Sequence, residues 1–309
     1  MPSATEMVCF AGAAETLVGV THECDYPAGV EELPRLTSSR IDPGLSGAEI
    51  DAAVNRLVTD EESIYALDVD LLENLAPDLV ITQGLCEVCA VSTSLVEEAI
   101  SGLPGDPDLL VLNPTSLEDV LEDSVRIGDA VDRGDEARKN ADSLRERLRK
   151  VERAVAGLRP PTVGCIEWLD PPFSAGHWVP EMVRLAGGRE LFAGPGERSV
   201  RLTWDDVFQA APEVLVLMPC GFDAARAEEE AKALPSLPGW PDLPAAKNDR
   251  VWAVDANSYF SRPAPRLVEG VETLARILHP EALPDPPDAS RIDQRRPASG
   301  SCDGELHPY

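Results

Sequence analysis

Between Ser116 and Leu158 the apolar residues recur with a helical period. Ala137, Ala141, Leu144, Leu148, Val151, Val155 and Leu158 follow one another at steps of four and three, with charged residues between them. That spacing lays one apolar stripe along a helix. Leu117, Val120, Leu121, Val125, Ile127, Gly128 and Val131 have a similar period ahead of it, and Asp132-Arg133-Gly134-Asp135 interrupts the run. Two helices with a break are expected. A second helix continuous from Asp135 would reach roughly 35 Å at 1.5 Å per residue, enough to span two lobes.

On either side of this stretch one phrase occurs twice. Leu75-Ala76-Pro77-Asp78-Leu79-Val80-Ile81-Thr82 matches Ala210-Ala211-Pro212-Glu213-Val214-Leu215-Val216-Leu217. Each reads as a helix ending before a proline, then an acidic residue, then an apolar strand of the kind buried on both sheet faces. The expected fold is α/β: two Rossmann-like lobes with parallel-type central sheets, joined by a single long helical connector, with a ligand cleft between them. The divisions expected are residues 1–115, a first lobe; 116–158, the connector; 159–280, a second lobe; and 281–309, a proline-rich, aperiodic, disordered tail.

Within the first lobe, Ser3 or Thr5 can cap a helix through Val8-Cys9-Phe10-Ala11, with a strand at Leu17-Val20, a loop over 28–47, helices at Ala48–Thr59 and Asp68–Leu75, and strands at Leu79–Ile81 and Leu109–Leu112. The second lobe reads as strands at Thr162–Glu167, Val214–Leu217 and Val251–Val254. Helices are expected at Val179–Leu185, Leu202–Gln209 and Arg266–Leu278. An α/β lobe ordinarily has a strand before its first helix, so the first strand is expected to be truncated here.

The 309 residues carry a formal charge of -28. So acidic a surface repels nucleic acid and anionic lipid and suits high salt, where hydrated carboxylates keep a protein soluble. No apolar run approaches the ~20 residues of a membrane span, so no direct membrane insertion is expected. No basic-then-apolar signal precedes the first helix. As it stands the sequence is expected to be cytoplasmic, or extracytoplasmic if the true start lies upstream.

Two constellations carry candidate chemistry. His22-x-Cys24 and Cys86-x-x-Cys89 follow expected strand ends. Imidazole and thiolate are the ligands that zinc and iron-sulfur clusters take; a redox dithiol and buried structural cysteines are the alternatives. The other constellation is aromatic: Trp168, Phe173, His177, Trp178, Tyr259 and Phe260 lie at strand exits of the second lobe in a chain with 5% aromatics. Flat apolar faces with a few polar tips suit a large, partly hydrophobic ligand. No P-loop, no G-x-S-x-G and no G-x-G-x-x-G after the first strand is present, and no enzymatic role is expected.

Pro2-Ser3-Ala4-Thr5-Glu6, His22-Glu23-Cys24-Asp25-Tyr26-Pro27, Cys86-Glu87-Val88-Cys89, Glu167-Trp168-Leu169-Asp170-Pro171-Pro172-Phe173, Gly176-His177-Trp178-Val179-Pro180-Glu181 and Ser261-Arg262-Pro263 together resemble the cobalamin-binding branch of the helical-backbone substrate-binding proteins of ABC importers. The resemblance covers about residues 2 to 280. It implies a corrinoid or other metal chelate, such as an iron siderophore, held between the lobes, with Arg262 added to the aromatic residues as a ligand contact. It also implies delivery to an ABC permease through acidic residues on each lobe, here Asp70 and Glu181. The alternative expected on the same fold is a cytoplasmic metal- or iron-sulfur-binding protein using His22, Cys24, Cys86 and Cys89.

Overall fold

Every residue of Val214–Leu217 and Val251–Val254 is buried, as expected for continuous apolar runs at the centre of a parallel sheet. The computed structural model describes residues 1–59, 63–84, 93–283 and 289–291. The first lobe contains α1 (Pro2–Phe10), β1 (Thr37–Ser39), α2 (Gly47–Thr59), β2 (Tyr65–Leu67), α3 (Val69–Leu75), β3 (Leu79–Gln83), α4 (Thr93–Ser101) and β4 (Asp108–Leu112). The connector is α5 (Leu117–Ala130) and α6 (Gly134–Val155). The second lobe contains β5 (Thr162–Leu169), β6 (Pro172–Ser174), α7 (Val179–Leu185), β7 (Arg189–Glu190), α8 (Trp204–Ala210), β8 (Val214–Leu217), α9 (Ala224–Ala231), α10 (Pro244–Lys247), β9 (Val251–Val254), α11 (Ala256–Tyr259), α12 (Leu267–Leu278) and β10 (Ala289–Arg291).

The second-lobe sheet has the order β10-β9-β8-β5-β6, with β7 also paired to β5. β9, β8, β5 and β7 run parallel, while β6 and β10 are antiparallel additions at the edges. The period-2 alternation of its strands divides the core. Val163, Cys165, Val214, Val216 and Val254 face one cluster with α7 and α12. Ile166, Leu215, Leu217, Val251 and Ala253 face the other, with Ala227, Trp240 and Leu243. The first cluster extends through Val120 and Ile127 of α5 to Met7 and Val8 of α1, so the first helix of the chain is anchored on the core of the second lobe.

The connector differs from a single spanning rod. α6 folds back antiparallel on α5, with Arg145 paired to Glu118 near one end and Arg138 to Asp129 at 2.9 Å near the other. Asp132 adopts a left-handed backbone, φ 58°, at the reversal. At Gly128 an added Cβ would lie 2.4 Å from the Cβ of Ala137, so a side chain there would force the hairpin apart. Arg147 then ties α6 to α12 through a two-toothed pair with Glu272, 2.9 Å at each tooth.

The repeated phrase has a repeated geometry. Ala76 and Ala211, each before its proline, end α3 and α8 in the left-handed region at φ 44° and 48°. A residue before proline is pushed out of the right-handed helical region, so the same two-residue unit stops both helices.

Other expectations are corrected. α1 starts at Pro2, with Ser3 and Thr5 buried inside it instead of capping it; proline suits a first helical turn, where its missing N–H costs nothing. Leu17–Val20 is not a full strand, and only Val20 bridges to Arg35. The stretch 28–47 contains β1, antiparallel to β2. Within the expected disordered tail, Ala289–Arg291 pairs with β9, satisfying backbone groups that would otherwise form an open sheet edge.

Glu190, on β7, gives the second lobe a pH dependence. Burial pushes its carboxyl up to about 7, opposed by N–H bonds donated by Ala193, Phe192 and Cys165. A carboxyl raised in the folded state contributes stability that is complete below its unfolded value of 4.5 and is lost as pH rises through 7. The expected loss between those limits is about 3 kcal/mol. Denaturant unfolding of wild type and Glu190→Gln from pH 4.5 to 8 checks it: the difference between the two should shift by that amount, whereas parallel profiles contradict it.

Candidate functional site

The two lobes meet across a cleft at two places, one formed by the loops after Val20 and β9 and the other by the turn into α2 and helix α9. On one side, the loop after Val20 lies against the segment around α11. Arg262 pairs with Asp25 and donates to the Glu23 carbonyl at 3.0 Å, while the Asn257 amide donates to the other Asp25 oxygen at 3.1 Å. Burial pushes the Asp25 carboxyl up, but the Arg262 guanidinium and the Asn257 amide outweigh it and hold the group below its usual value. Behind this contact, Glu6 accepts both the backbone N–H of Arg266 at 3.0 Å and its Nε–H at 2.8 Å. The Arg266 guanidinium also lies 3.8 Å from the Tyr26 ring centre.

On the other side, the turn leading into α2 lies on α9. The Gly47 N–H donates to Glu230 at 3.2 Å and Arg226 donates to the Leu45 carbonyl at 2.9 Å. The same Arg226 sits 3.7 Å over the Phe222 ring. Trp168 meets Phe222 edge-on at 5.6 Å, and a Cβ built on Gly47 would lie 3.6 Å from the Trp168 ring. The indole N–H of Trp168 is buried and makes no hydrogen bond among the described residues. An unpartnered buried donor costs free energy, so this N–H is the polar group of the cleft most in want of an acceptor.

The other aromatic candidates divide. Phe173 is half-buried and opposite Trp168 in the β5–β6 pairing. His177 is half-buried at φ 55° with its ring tilted against Trp178; burial and the Arg198 charge lower its pKa. Trp178 is only 5% exposed, belongs to the core and donates to the Phe260 carbonyl at 2.7 Å. Its expected ligand role is corrected, because its ring is packed in the core with α7 and α12 and its N–H is taken by the Phe260 carbonyl just past α11. Tyr259 packs at the edge of that core. Arg262 is at the cleft, its side chain 13% exposed and its guanidinium paired with Asp25.

The His/Cys constellation does not converge among the described residues. His22 Nδ1 is 2.7 Å from the Thr37 hydroxyl, and its ring is tilted against Tyr65. Cys24 is buried with its sulfur 3.3 Å from the Thr5 hydroxyl and 3.2 Å from that of Thr21. Cys86 and Cys89 lie outside the described residues. No group of three His, Cys, Asp or Glu side chains among the described residues is placed to hold a metal ion. Of the two acidic docking candidates, Asp70 is exposed in the first turn of α3. The Glu181 carboxylate accepts the Leu117 N–H at 2.9 Å, at the start of α5.

Asp25, Asn257, Phe222, Arg226 and Glu230 were not singled out as site residues from the sequence. Two of the five are acidic in a chain with 55 carboxylate side chains, and no local pattern distinguishes the ones that reach across a cleft. Phe222 alone had a signal, as an aromatic residue soon after the exit of β8.

Comparison with known proteins accounts for this arrangement. Residues 2–257 match the family described as Periplasmic binding protein. The uncharacterized ABC transporter substrate-binding lipoprotein YvrC of Bacillus subtilis is 24% identical over 291 residues, 92% of this chain and 79% of that protein. The vitamin B12-binding protein of Vibrio cholerae is 23% identical over 287 residues, 90% of this chain and 86% of that protein. The crystal structure of a periplasmic heme binding protein from Pseudomonas aeruginosa superposes with a TM-score of 0.71 at 20% identity, covering 96% of each chain. The cytoplasmic placement expected from the sequence is overturned, because the matched family is described as periplasmic, the Bacillus subtilis relative is named a lipoprotein and the Pseudomonas aeruginosa protein is named periplasmic. The chain belongs to the periplasmic binding protein family, whose members bind and carry substrates and do not catalyse reactions.

Proposed function

We propose that the protein binds cobalamin, or another metal chelate such as haem or a ferric siderophore, in the cleft between its lobes and delivers it to an ABC permease. The observation that carries the reading is Trp168: an aromatic ring at the cleft, flanked by Phe222, with a buried N–H that no described residue satisfies. A large ring ligand with peripheral acceptors offers such a site both a face and an oxygen. The relatives named for vitamin B12 and heme support this ligand class.

Phe173, His177, Tyr259 and Arg262 are the further contacts proposed. For Arg262 to reach a ligand, its pairing with Asp25 must be exchanged, so ligand entry and the opening of that inter-lobe contact are coupled. Asp70, exposed on the first lobe, is the proposed permease contact there. Glu181 is the weaker partner because its carboxylate already serves the start of α5.

Trp168→Ala is expected to weaken binding by about 1–3 kcal/mol, roughly 5- to 150-fold. Cobalamin and haem titrations of wild type and variant at matched salt check this, with circular dichroism confirming that the variant is folded. Equal affinities would remove Trp168 from the site.

A further inference from the structure

Three residues of the second lobe form a row across the edge of its sheet. Phe173 stands opposite Trp168 in the β5–β6 ladder and opposite Arg201 in an antiparallel bridge on its other edge. Residues directly opposite in antiparallel strands put their side chains on one face, so Trp168, Phe173 and Arg201 share that face. At the other end of the row the Arg226 guanidinium lies 3.7 Å over the Phe222 ring, and Phe222 meets Trp168 edge-on at 5.6 Å. The aromatic wall of the cleft thus carries an arginine at each end.

Both arginines keep donors to offer. A guanidinium has five N–H donors, and Arg226 gives one of them to the Leu45 carbonyl at 2.9 Å. Among the described residues neither Arg201 nor Arg226 is ion-paired, whereas Arg159, Arg184, Arg262 and Arg266 of the same lobe each are. The acidic neighbours are engaged elsewhere. Asp223 and Glu230, on either side of Arg226 in the chain, accept the backbone N–H groups of Arg226 and Gly47, and Asp206, beyond Arg201, closes the capping box of α8. The buried Trp168 N–H adds a further donor that makes no hydrogen bond among the described residues. With 55 acidic against 27 basic side chains, the chain as a whole repels an anion at long range. Salt screens that repulsion over roughly 10 Å at 0.1 M and leaves contacts at hydrogen-bond distance, so the arginines at the wall decide which ligand charge is accepted.

We propose that Arg226 and Arg201 select an anionic chelate, one whose periphery carries carboxylates, over one whose periphery carries amides. The inference rests on the cleft between the lobes being the ligand site. A ring laid against Trp168 and Phe173 brings its edge to the two guanidiniums, each of which can give a carboxylate two parallel N–H bonds. An amide offers one oxygen and brings N–H donors that a guanidinium cannot accept. Haem has carboxylates at its edge and the corrin ring of cobalamin has amides, so the wall favours haem and carboxylate-bearing iron chelates over intact cobalamin.

Calorimetric titration at fixed ionic strength tests this with two matched pairs of chelates: haem and its diamide, and a cobalamin monocarboxylate and cobalamin itself. Each pair shares its metal and ring and differs only in peripheral carboxylate against amide. Wild type is expected to bind the carboxylate member of at least one pair about tenfold or more tighter than the amide member. Arg226→Gln and Arg201→Gln should each lower that ratio severalfold, whatever they do to affinity as such, and Arg226→Lys should keep part of it. A ratio is not moved by a merely structural role, which affects both members alike. Equal affinities within both pairs for wild type, or a ratio unchanged in both glutamine variants, overturns the selection and leaves the cleft reading standing. Binding of none of the four chelates overturns both. Should a glutamine variant fail to fold, the wild-type ratio and its value in Arg226→Lys decide, a ratio near one in wild type overturning the proposal.

Discussion

Trp178→Ala should destabilise the protein by about 3–5 kcal/mol, the range for removing a large aromatic side chain from a packed core. The side chain is 5% exposed and sits in the cluster shared by α7, α12 and the second-lobe sheet. Its loss also leaves the buried Phe260 carbonyl without the indole N–H that reaches it at 2.7 Å. Ligand affinity of the folded fraction should change little. Urea unfolding and a binding titration on one preparation separate the two effects. A stability change under about 1 kcal/mol together with a large loss of affinity would place Trp178 at the ligand instead.

A similar loss is expected for Arg266→Ala, through charge instead of packing. Arg266 and Glu6 have side chains only 12% and 5% exposed, and their two hydrogen bonds join α1 to the start of α12. Burial already pushes the Glu6 carboxyl up, with Arg266 pulling it back. Without the guanidinium the carboxylate is buried unpaired, which costs about 3–5 kcal/mol. The double variant Arg266→Ala, Glu6→Gln should recover part of that loss, because no uncompensated charge remains. Chemical denaturation of the three variants at pH 7 checks the order; a double variant no more stable than Arg266→Ala contradicts the ion-pair explanation.

These two residues also show what can be read from sequence and what cannot. β8 and β9 were legible to the residue, since apolar runs bounded by turn formers admit little else than buried strands. The period of the 116–158 stretch located both connector helices and their break. Their folding back into a hairpin was not legible, because periodicity gives the width of an apolar stripe and not the direction of the next helix. Trp168 and Trp178 lie on either side of β6 and have similar prospects in sequence. Only the packing shows that the second is consumed by the core, although its position just before Val179-Pro180 at the start of an apolar helix was a hint. Glu6 and Arg266 are 260 residues apart. In so acidic a chain nothing local marks Glu6 as a carboxylate that is buried and paired across the chain.

The first-lobe strand at Leu17–Val20 was expected and survives only as the Val20–Arg35 bridge. Its apolar sequence is that of a central strand, but a central strand needs a neighbour on each side. Among the described residues its ladder has one neighbour, the segment around Arg35, and β3 pairs only with β4.

The claim that the cleft holds a metal chelate is tested most directly by calorimetric titration of cobalamin into the wild-type protein, with haem and a ferric hydroxamate titrated in parallel. Saturable one-to-one binding of at least one of the three, weakened in Trp168→Ala, is the expected result. No saturable heat from any of them with folded protein would contradict the claim.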